Sequence, residues 1–365
     1  MTTKPRLAIL GTRGIPARYG GFETFAEELA VRLVDHGVEV TVFCEEHENP
    51  DALDSYRGVR LVHVKAPAIG PLSTIVFDLK CLWLARNTCD VAYMLGYGVG
   101  LFCFIPRLSG SEVWINMDGI EWSRSKWNWI AKAWLRFMER AATWTANRLV
   151  ADAVGIREHL RSRYANLPEV TVIPYGAYCV EEEPDLHALE EFDLMAGGYY
   201  LVVCRLEPEN HIREILEGFI ASNSECPIVI VGDSSAQTKY VRALRKLDDQ
   251  RIKFIGTIYD QAKLQSLRWH CRAYLHGHSV GGTNPSLLEA LGCGNYIIAH
   301  ENVFNREVAG ECADYFSSPA EISQLISSLE RREASVKSRS EIQNRVRENY
   351  GWEEVTGSYL KLLGS

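Results

Sequence analysis

A strand, a glycine-rich loop, a helix and a second strand follow one another in residues 6–44, RLAILGTRGIPARYGGFETFAEELAVRLVDHGVEVTVFC. Residues 6–11 form a short apolar run, and the apolar side chains of residues 22–33 recur every three or four positions, as on one face of a helix. Gly37 suits the end of that helix, and residues 38–44 alternate like a strand. This order predicts a βαβ unit with parallel strands.

The same alternation continues along the chain in two series. Strand-like runs of the first series are residues 59–64, 90–96, 112–119 and 148–154, and those of the second are 197–206, 227–235, 252–260, 271–277 and 295–301. We therefore predict an α/β fold with two facing Rossmann-like domains, residues 1–175 and 176–345, and a C-terminal helix in 346–365 that packs back on the first. Ligands of such sheets bind beyond the carboxyl ends of the strands, so we expect the active site in the cleft between the domains.

Composition and charge narrow the class of protein. The chain has 365 residues, 47% of them hydrophobic, enough for two cores. The net charge is -8, and the second half, from residue 176, holds 19 basic against 28 acidic residues, so nucleic acid is not an expected partner. Ten cysteines without a C-x-x-C pair predict reduced thiols, and the sequence has neither a secretion-signal pattern nor a long apolar run. We expect a cytoplasmic protein, with the option of a peripheral place on the inner face of the cell membrane.

Two loops carry glycine pairs at positions where a strand passes into a helix. Gly20 and Gly21 precede the first helix, where backbone N–H groups favour a phosphate or a sugar, although a plain turn also needs glycine. In the second loop Gly281, Gly282 and Thr283 precede a helix that Asn284 is suited to cap.

Pro285 fits the first position of that second helix, and Glu289 lies one turn further on. We predict that the second loop binds a diphosphate and that Glu289 accepts hydrogen bonds from sugar or ribose hydroxyls; the alternative for Glu289 is an ordinary solvated carboxylate.

Three carboxylates are candidate catalytic residues. Asp118 follows a predicted strand within NMDGIEW, residues 116–122, where it is suited to position a hydroxyl or to stabilise positive charge; the alternative is an Asp that closes a turn with Gly119. Glu121 and Glu209 are secondary candidates, and each is equally compatible with a surface or helix-start carboxylate.

The motifs together resemble the retaining glycosyltransferases of the large bacterial family four. Six motifs occur in the family's order over nearly the whole chain: GGFETFAEELAVRLVDHGVEVTVF, VIPYGA, VVCRLEPEN, IVIVGD, FIGTIYD and GTNPSLLEALGCGN. The resemblance implies the GT-B architecture, a nucleotide-sugar donor and phosphate contacts from Arg205 and from position 210.

Four motifs resemble a narrower group, the rhamnosyltransferases of bacterial surface-polysaccharide synthesis: TRGIPARYGGFET, NMDGIEWSRSKW, RLEPEN and HGHSVGGTNPSLLEA. That resemblance implies transfer of L-rhamnose from dTDP-L-rhamnose to a lipid-linked saccharide.

The sequence departs from the family pattern at two positions. Asn210 stands where the family usually has a phosphate-binding lysine, and Gly281 stands where it usually has a first glutamate, eight residues before Glu289. His211, Arg213 or helix N–H groups are candidates for replacing the missing cation. A 6-deoxy sugar has fewer hydroxyls to bind, which suits the missing glutamate.

Other functions remain open at this stage. They are a transferase with a UDP- or GDP-sugar donor, an epimerase of the same fold, and a nonenzymatic sugar-nucleotide sensor. We expect no cofactor and no metal, because His276 and His278 lack an evident third ligand and suit the lining of a pocket.

A basic, aromatic segment spans residues 122–148 and contains five of the nine tryptophans. Helical spacing places its apolar side chains on one face and its charged ones largely elsewhere, the first group being Trp127, Ile130, Trp134, Phe137, Met138 and Ala141 and the second Lys132, Arg136, Glu139 and Arg140. Two interpretations stand: a core helix whose cations reach water, and a surface that contacts anionic lipid.

Overall fold

The computed structural model describes residues 4–18, 20–49, 51–67, 69–70, 72–233, 238–331 and 337–364. The chain divides into two compact units. The first contains residues 1–175 and 352–365, and the second contains residues 176–351.

The first unit is built on a sheet of eight strands in the order β3-β4-β2-β1-β5-β6-β7-β8. The strands are β1 Arg6–Leu10, β2 Glu39–Glu45, β3 Ser55–Tyr56, β4 Val59–Val64, β5 Val91–Leu95, β6 Glu112–Asn116, β7 Arg148–Ala151 and β8 Glu169–Val172. All neighbouring pairs are parallel except β3 with β4. The helices of this unit are α1 Gly21–Asp35, α2 Leu72–Ala85, α3 Phe104–Leu108, α4 Trp129–Thr145, α5 Val154–Arg163 and, from the C-terminus, α14 Trp352–Leu363.

The second unit is built on six parallel strands in the order β11-β10-β9-β12-β13-β14. The strands are β9 Tyr200–Val203, β10 Ile228–Val231, β11 Ile252–Gly256, β12 Ala273–His276, β13 Ile297–His300 and β14 Ala313–Phe316. The helices are α6 His187–Glu191, α7 Ile212–Ser222, α8 Lys239–Leu244, α9 Gln261–His270, α10 Pro285–Gly292, α11 Val303–Ala309, α12 Pro319–Glu330 and α13 Arg339–Asn349. Short 3₁₀ turns at Gly100–Cys103, Glu121–Ser123, Pro208–Asn210 and Gly310–Cys312 complete the two units.

The strand order of both sheets is that of the Rossmann fold. Numbered within the second unit, its strands read 3-2-1-4-5-6, and the first unit repeats this order with an added strand at each edge. The direction of winding reverses between β1 and β5 in the first sheet and between β9 and β12 in the second. Ligands of such sheets bind beside that reversal, at the carboxyl ends of the strands. The predicted α/β class with parallel sheets is therefore confirmed.

The last helices divide between the units at a different point from the predicted one. We placed the start of the returning segment at residue 346, but α13 continues to Asn349 and stays with the second unit. Gln343 of α13 donates hydrogen bonds to the carbonyls of Val180 (2.7 Å) and Gly292 (3.0 Å), which binds the helix there. The segment that joins the first unit starts at residue 352.

Helix α14 packs on α1 through aromatic contacts. The ring centroid of Phe25 lies 6.3 Å from that of Trp352 and 6.0 Å from that of Tyr359. The Tyr359 hydroxyl also forms a 2.7 Å hydrogen bond with the buried hydroxyl of Tyr93 on β5. These contacts attach α14 to the first unit.

Candidate active site

A cavity of about 290 Å³ opens at the winding reversal of the first sheet. Its walls come from the loop after β1, the start of α1, the middle of α2 and the segments after β5 and β6. Among the lining residues are Arg13, Asp78, Tyr97, Asp118 and Glu121. Asp118 and Glu121 thus line one cavity, and three further charged groups, Arg13, Glu23 and Asp78, lie with them.

Asp118 belongs to a pair of carboxyl groups. Strands β6 and β7 pair so that Asn116 lies opposite Val150. Asp118 and Asp152 each come two residues after this pair, so they lie side by side. Asp152 and Tyr175 both lie close enough to Asp118 to influence its pKa. Burial raises the pKa of Asp118, although nearby Arg124 acts in the opposite direction.

Asp152 was absent from the candidate residues of the sequence analysis. The available signal was its position directly after a predicted strand, the same position that singled out Asp118. What the sequence lacked was the register that places one beside the other.

Asp78 is a second carboxyl group that the sequence analysis missed. It lies on the apolar helix α2, is buried, and lines the cavity. Burial raises the pKa of Asp78 to about 7, and the charge of Arg13 limits the rise. A lone aspartate among the apolar residues of a helix was the signal in the sequence. Carboxyl groups with raised pKa values in one cavity are typical of functional sites.

Glu121, by contrast, is held by cations and by an indole. Its carboxylate lies 2.8 Å from Nε of Arg124 and 3.0 Å from Nζ of Lys126, and it accepts a 3.0 Å hydrogen bond from Nε1 of Trp127. These contacts suit a residue that fixes the wall of the cavity better than one that transfers a proton.

The first glycine pair lies beside a carboxylate of the protein itself. Gly20 has φ 119° and precedes α1, and a Cβ atom placed on it would meet Oε2 of Glu23. The other oxygen of Glu23 accepts a 2.9 Å hydrogen bond from the N–H of Arg13. Glu23 therefore already supplies the negative charge that this helix start favours, which counts against a phosphate at Gly20 and Gly21. That contact stays a prediction.

The second glycine loop has no carboxylate in the equivalent place. The side chain of Asn284 caps α10 by accepting a 3.0 Å hydrogen bond from the N–H of Ser286, and Pro285 occupies the first turn, both as predicted. Gly281 has φ 136°, and a Cβ atom placed on it would meet nothing within 4 Å. Gly282 and the buried Thr283 follow it towards the helix start. The loop is open where backbone N–H groups can bind an anion.

The chain after β9 lies against this second loop. The N–H and the hydroxyl of Ser279 each donate a 3.0 Å hydrogen bond to the carbonyl of Glu209. A Cβ atom on Gly277 would lie 2.0 Å from the carbonyl oxygen of Asn210, so only glycine fits there. Glu209 lies in the second unit, whereas the other two catalytic candidates lie in the first.

Arg205 and Asn210 differ in their freedom to contact a ligand. The Arg205 side chain is half exposed, and its ion pair with Glu207 spans 3.8 Å. Asn210 is buried, and its Nδ2 donates a 2.7 Å hydrogen bond to the carbonyl of Arg205. That amide holds the turn together from inside, which counts against a contact between the Asn210 side chain and a donor phosphate. The donor-binding role of Asn210 stays a prediction.

Glu289 has a partner that the sequence did not reveal. Its carboxylate pairs with Arg268 of α9, a guanidinium with only 4% of its side chain exposed, while the Glu289 side chain is 40% exposed. The pair orients one oxygen of Glu289 and leaves the carboxylate accessible to hydroxyl groups.

Four histidines cluster at the carboxyl ends of β12 and β13. The rings of His276 and His278 stack with centroids 4.5 Å apart, on one side of the segment as predicted, and those of His211 and His300 stack at 4.0 Å. Burial lowers the pKa of His276 well below its usual value and that of His300 to about 4, and repulsion between the rings adds to both. No group of three His, Cys, Asp or Glu residues suited to a metal ion occurs in the part of the chain that the structure describes.

A second cavity, of about 410 Å³, lies at the carboxyl ends of β9, β10 and β11. Leu206, Leu247, Ile252 and Phe254 give it apolar walls, and Gly232 and Gly256 complete its lining. Arg245 reaches it while paired with Asp233 at 3.3 Å. An apolar pocket with a few polar groups at its edge suits a flat, partly polar ring.

Comparisons with known proteins agree on the fold. Sucrose-phosphate synthase from Thermosynechococcus elongatus superposes with a TM-score of 0.80, at 16% identity and over 98% of each chain. HepE from Anabaena, solved with UDP and glucose, gives a TM-score of 0.77 at 16% identity over all of both chains. A glycosyltransferase from Rickettsia africae gives 0.73 at 13% identity, over 100% of this chain and 98% of the other. The chain has the GT-B fold of glycosyltransferases, as predicted.

Sequence comparisons are less informative. The model of a family described as a domain of unknown function, DUF1972, matches residues 4–178, which is slightly less than half of the chain. None of the curated proteins matches. Among the described residues, no helix combines the length and the hydropathy that crossing a membrane requires.

Proposed function

We propose that the protein is a glycosyltransferase that takes a sugar from a nucleoside-diphosphate donor. One observation carries this proposal. The half-exposed guanidinium of Arg205 and the open loop at Gly281 both lie beside the winding reversal of the second sheet, and the chain segments that contain them pack on one another. A guanidinium and backbone N–H groups bind a diphosphate well. HepE, which shares the fold, was solved with UDP and with UDP-glucose.

Within this proposal the second unit holds the donor. The diphosphate lies against Arg205, Gly281, Gly282 and Thr283, and the base enters the 410 Å³ cavity beside Phe254. Glu289, oriented by its ion pair with Arg268, accepts hydrogen bonds from the hydroxyls of the ribose or of the transferred sugar.

The first unit holds the acceptor sugar in the same proposal. The cavity that contains Asp118 and Asp78 offers carboxyl oxygens to its hydroxyls. The acceptor oxygen bonds to the anomeric carbon, the bond from that carbon to the phosphate oxygen breaks, and the hydroxyl proton passes to the departing phosphate. Asp118 orients the attacking hydroxyl and stabilises the positive charge that develops on the sugar ring.

Donor identity, stereochemistry and acceptor form the finer part of the proposal. The resemblance of TRGIPARYGGFET and HGHSVGGTNPSLLEA to rhamnosyltransferases supports dTDP-L-rhamnose, retention of configuration and a lipid-linked saccharide acceptor. No metal ion or further cofactor is needed in this scheme, and the reaction takes place at the inner face of the cell membrane.

A binding panel tests the donor. We expect dTDP and dTDP-rhamnose to raise the melting temperature more than UDP-, GDP- or ADP-sugars at equal concentration, because bound ligand stabilises the folded state. A preference for UDP or GDP would change the assigned donor nucleotide, and the proposed sugar transfer would stand. Binding of no nucleotide would contradict the proposal.

A transfer assay tests the reaction. We expect the protein, dTDP-rhamnose and a lipid-linked glucose or N-acetylglucosamine to give one added deoxyhexose by mass spectrometry, with the donor's anomeric configuration in the NMR spectrum. The same yield with EDTA would support chemistry without a metal. Sugar interconversion without acceptor would identify an epimerase, and nucleotide binding without turnover on any acceptor would identify a sensor.

A further inference from the structure

Helix α4 turns a carboxylate inwards and its aromatic side chains outwards. We predicted an apolar face containing Ile130 and Phe137 opposite charged residues that include Glu139, yet Glu139 is 1% exposed and Phe137 is 46% exposed. Met138 and Ala141 are buried as a core helix requires. The inner side of α4 therefore belongs to the core, and its outer surface exposes aromatic side chains as well as cations.

Glu139 fixes the rotation of the helix. Its carboxylate accepts hydrogen bonds from Nε1 of Trp122 (2.8 Å) and from the hydroxyl of Tyr164 (2.6 Å), and Nε of Arg163 lies 3.3 Å away. Burial alone would raise the pKa of Glu139, but nearby His159 and the hydrogen bonds from Tyr164 and Trp122 outweigh it and hold the pKa below its usual value. A rotation that buried the aromatic side chains would break this network.

The outward side chains form one stripe along α4. Trp129 is 78% exposed and Trp144 is 54% exposed. With Phe137 they lie within about 80° of arc at 100° per residue, and Ile130 borders them. Lys132 and Arg136 lie along the other border of the stripe, and Arg140 lies within it. The stripe is therefore apolar on one side and basic on the other.

Helix α3 extends this stripe. The chain moves in one direction along the sheet from β4 to β5, then to β6 and to β7. Right-handed crossovers therefore place the connecting helices α2, α3 and α4 on the same face of the sheet. Arg107 at the end of α3 donates a 3.3 Å hydrogen bond to the carbonyl of Thr145, at the end of α4. Leu108, which follows Arg107, is 79% exposed. We call Phe104, Leu108, Trp129, Ile130, Phe137 and Trp144 the aromatic surface.

The charge around the aromatic surface is strongly positive. Residues 122–163 contain nine basic and three acidic residues in a chain whose net charge is -8. Two of the three acids, Glu139 and Asp152, are buried, and the third, Glu158, is paired with Arg157 and Arg161. Several of the bases are also paired, Arg124 and Lys126 with Glu121 and Arg148 with Glu169. Lys132, Arg136 and Arg140 therefore supply the positive charge beside the aromatic surface.

We propose that the aromatic surface docks on an anionic lipid membrane. Exposed tryptophans beside a row of cations are typical of helices that lie in the interfacial layer, where the rings enter the headgroup region and the cations bind lipid phosphates. Charge complementarity favours this occupant over a second copy of the chain, because self-association through this surface would set its cations against one another.

The docking surface adjoins the cavity of the first unit. Leu135 on the inner side of α4 lines that cavity, and Nε1 of Trp134 donates a 3.2 Å hydrogen bond to the carbonyl of Gly98, another lining residue. A membrane held by the aromatic surface would bring lipid-linked saccharides close to Asp118. This consequence rests on the proposed function, whereas docking itself does not.

Vesicle sedimentation of the full chain, without any sugar or nucleotide, tests the docking. We expect binding to phosphatidylcholine vesicles that contain about 30% phosphatidylglycerol, and weaker binding at about 0.5 M than at about 0.1 M NaCl. Trp129→Ser with Phe137→Ser, and separately Lys132→Glu with Arg136→Glu, should each lower the bound fraction at least about fivefold. The matched control is Leu186→Ser with Met195→Ser, exposed apolar residues of the second unit, which should bind as the wild type does.

Several outcomes would overturn the docking. They are no binding by the wild type, equal binding to neutral vesicles, or equal loss in the control variant. A dimer in light scattering that only the Trp129→Ser, Phe137→Ser variant abolishes would assign the aromatic surface to a protein partner. Circular dichroism keeps the test valid, since the exposed substitutions should leave the spectrum unchanged. If binding survives but no sugar is transferred, the proposed function fails and the docking stands.

Discussion

The two units present opposite chemistry at the same place in the same fold. Beside the winding reversal of the first sheet, Asp118 and Asp78 line one cavity, and Asp152 lies next to Asp118. Glu23 supplies the negative charge at the start of α1. At the reversal of the second sheet the helix start lies behind an open glycine loop near Arg205. The Rossmann fold fixes where a ligand binds, and the few residues after each strand decide whether that ligand is an anion or a polyol.

The largest effect that separates the two regions should come from Asp118→Asn. Asparagine keeps the size of the side chain but neither carries charge nor takes up a proton, so we expect kcat of sugar transfer to fall about 10²- to 10³-fold. The Kd of the donor nucleotide should stay unchanged. Asp90→Asn, at the other edge of the same sheet, is the control and should keep full activity. An equal loss of nucleotide binding in Asp118→Asn would dissolve the distinction between the two regions.

Arg205→Ala should have the complementary effect. Loss of a charged hydrogen bond to phosphate costs about 1.5–3 kcal/mol, so we expect the donor nucleotide to bind about 10- to 100-fold more weakly in calorimetry. Arg213→Ala removes a guanidinium from the same segment that pairs with Glu217, and affinity should be retained. Similar losses in both variants would point to general electrostatics instead of a defined contact.

A smaller effect compares the two glycine loops directly. Gly20 and Gly281 both have positive φ, where an L-residue is strained by about 1–2 kcal/mol. We expect Gly281→Ala to weaken nucleotide binding about 5- to 30-fold through the changed loop backbone. Gly20→Ala should displace Glu23 and lower the melting temperature without changing nucleotide affinity. If Gly20→Ala weakened nucleotide binding as much, the first loop would regain the phosphate role.

The smallest effect concerns pH and the second unit alone. The pKa of His300 lies at about 4 in the folded protein, below its usual value of 6.5. As the pH falls, the unfolded chain therefore takes up a proton at His300 before the folded protein does. The contribution of His300 to the free energy of unfolding is fully present above pH 6.5 and is lost as the pH falls towards 4. His300→Asn should make the thermal unfolding of this unit less sensitive to pH in that range. The exposed His187→Asn is the control, and an identical pH profile for both variants would contradict the assignment.

The sequence analysis succeeded where the information was local. Periodicity predicted eleven of the strands that the structure describes, and capping preferences predicted how Asn284 and Pro285 begin α10. It missed β8, Glu169–Val172, β14, Ala313–Phe316, and the two-residue β3. The donor role of Asn210 stays a prediction, because the motif gives the position of a residue and not the direction of its side chain.

What the sequence by itself determined is the alternation of strands and helices and, through it, the Rossmann order and the edge of each sheet at which a ligand binds. Tertiary structure alone decided which side chains meet at those edges. Asp118 meets Asp152 through the register of β6 and β7, and Glu139 turns inwards because its partners come from other segments. Helix and strand periods are local properties of the backbone, whereas a hydrogen bond between residues far apart in sequence exists only once the sheet has formed.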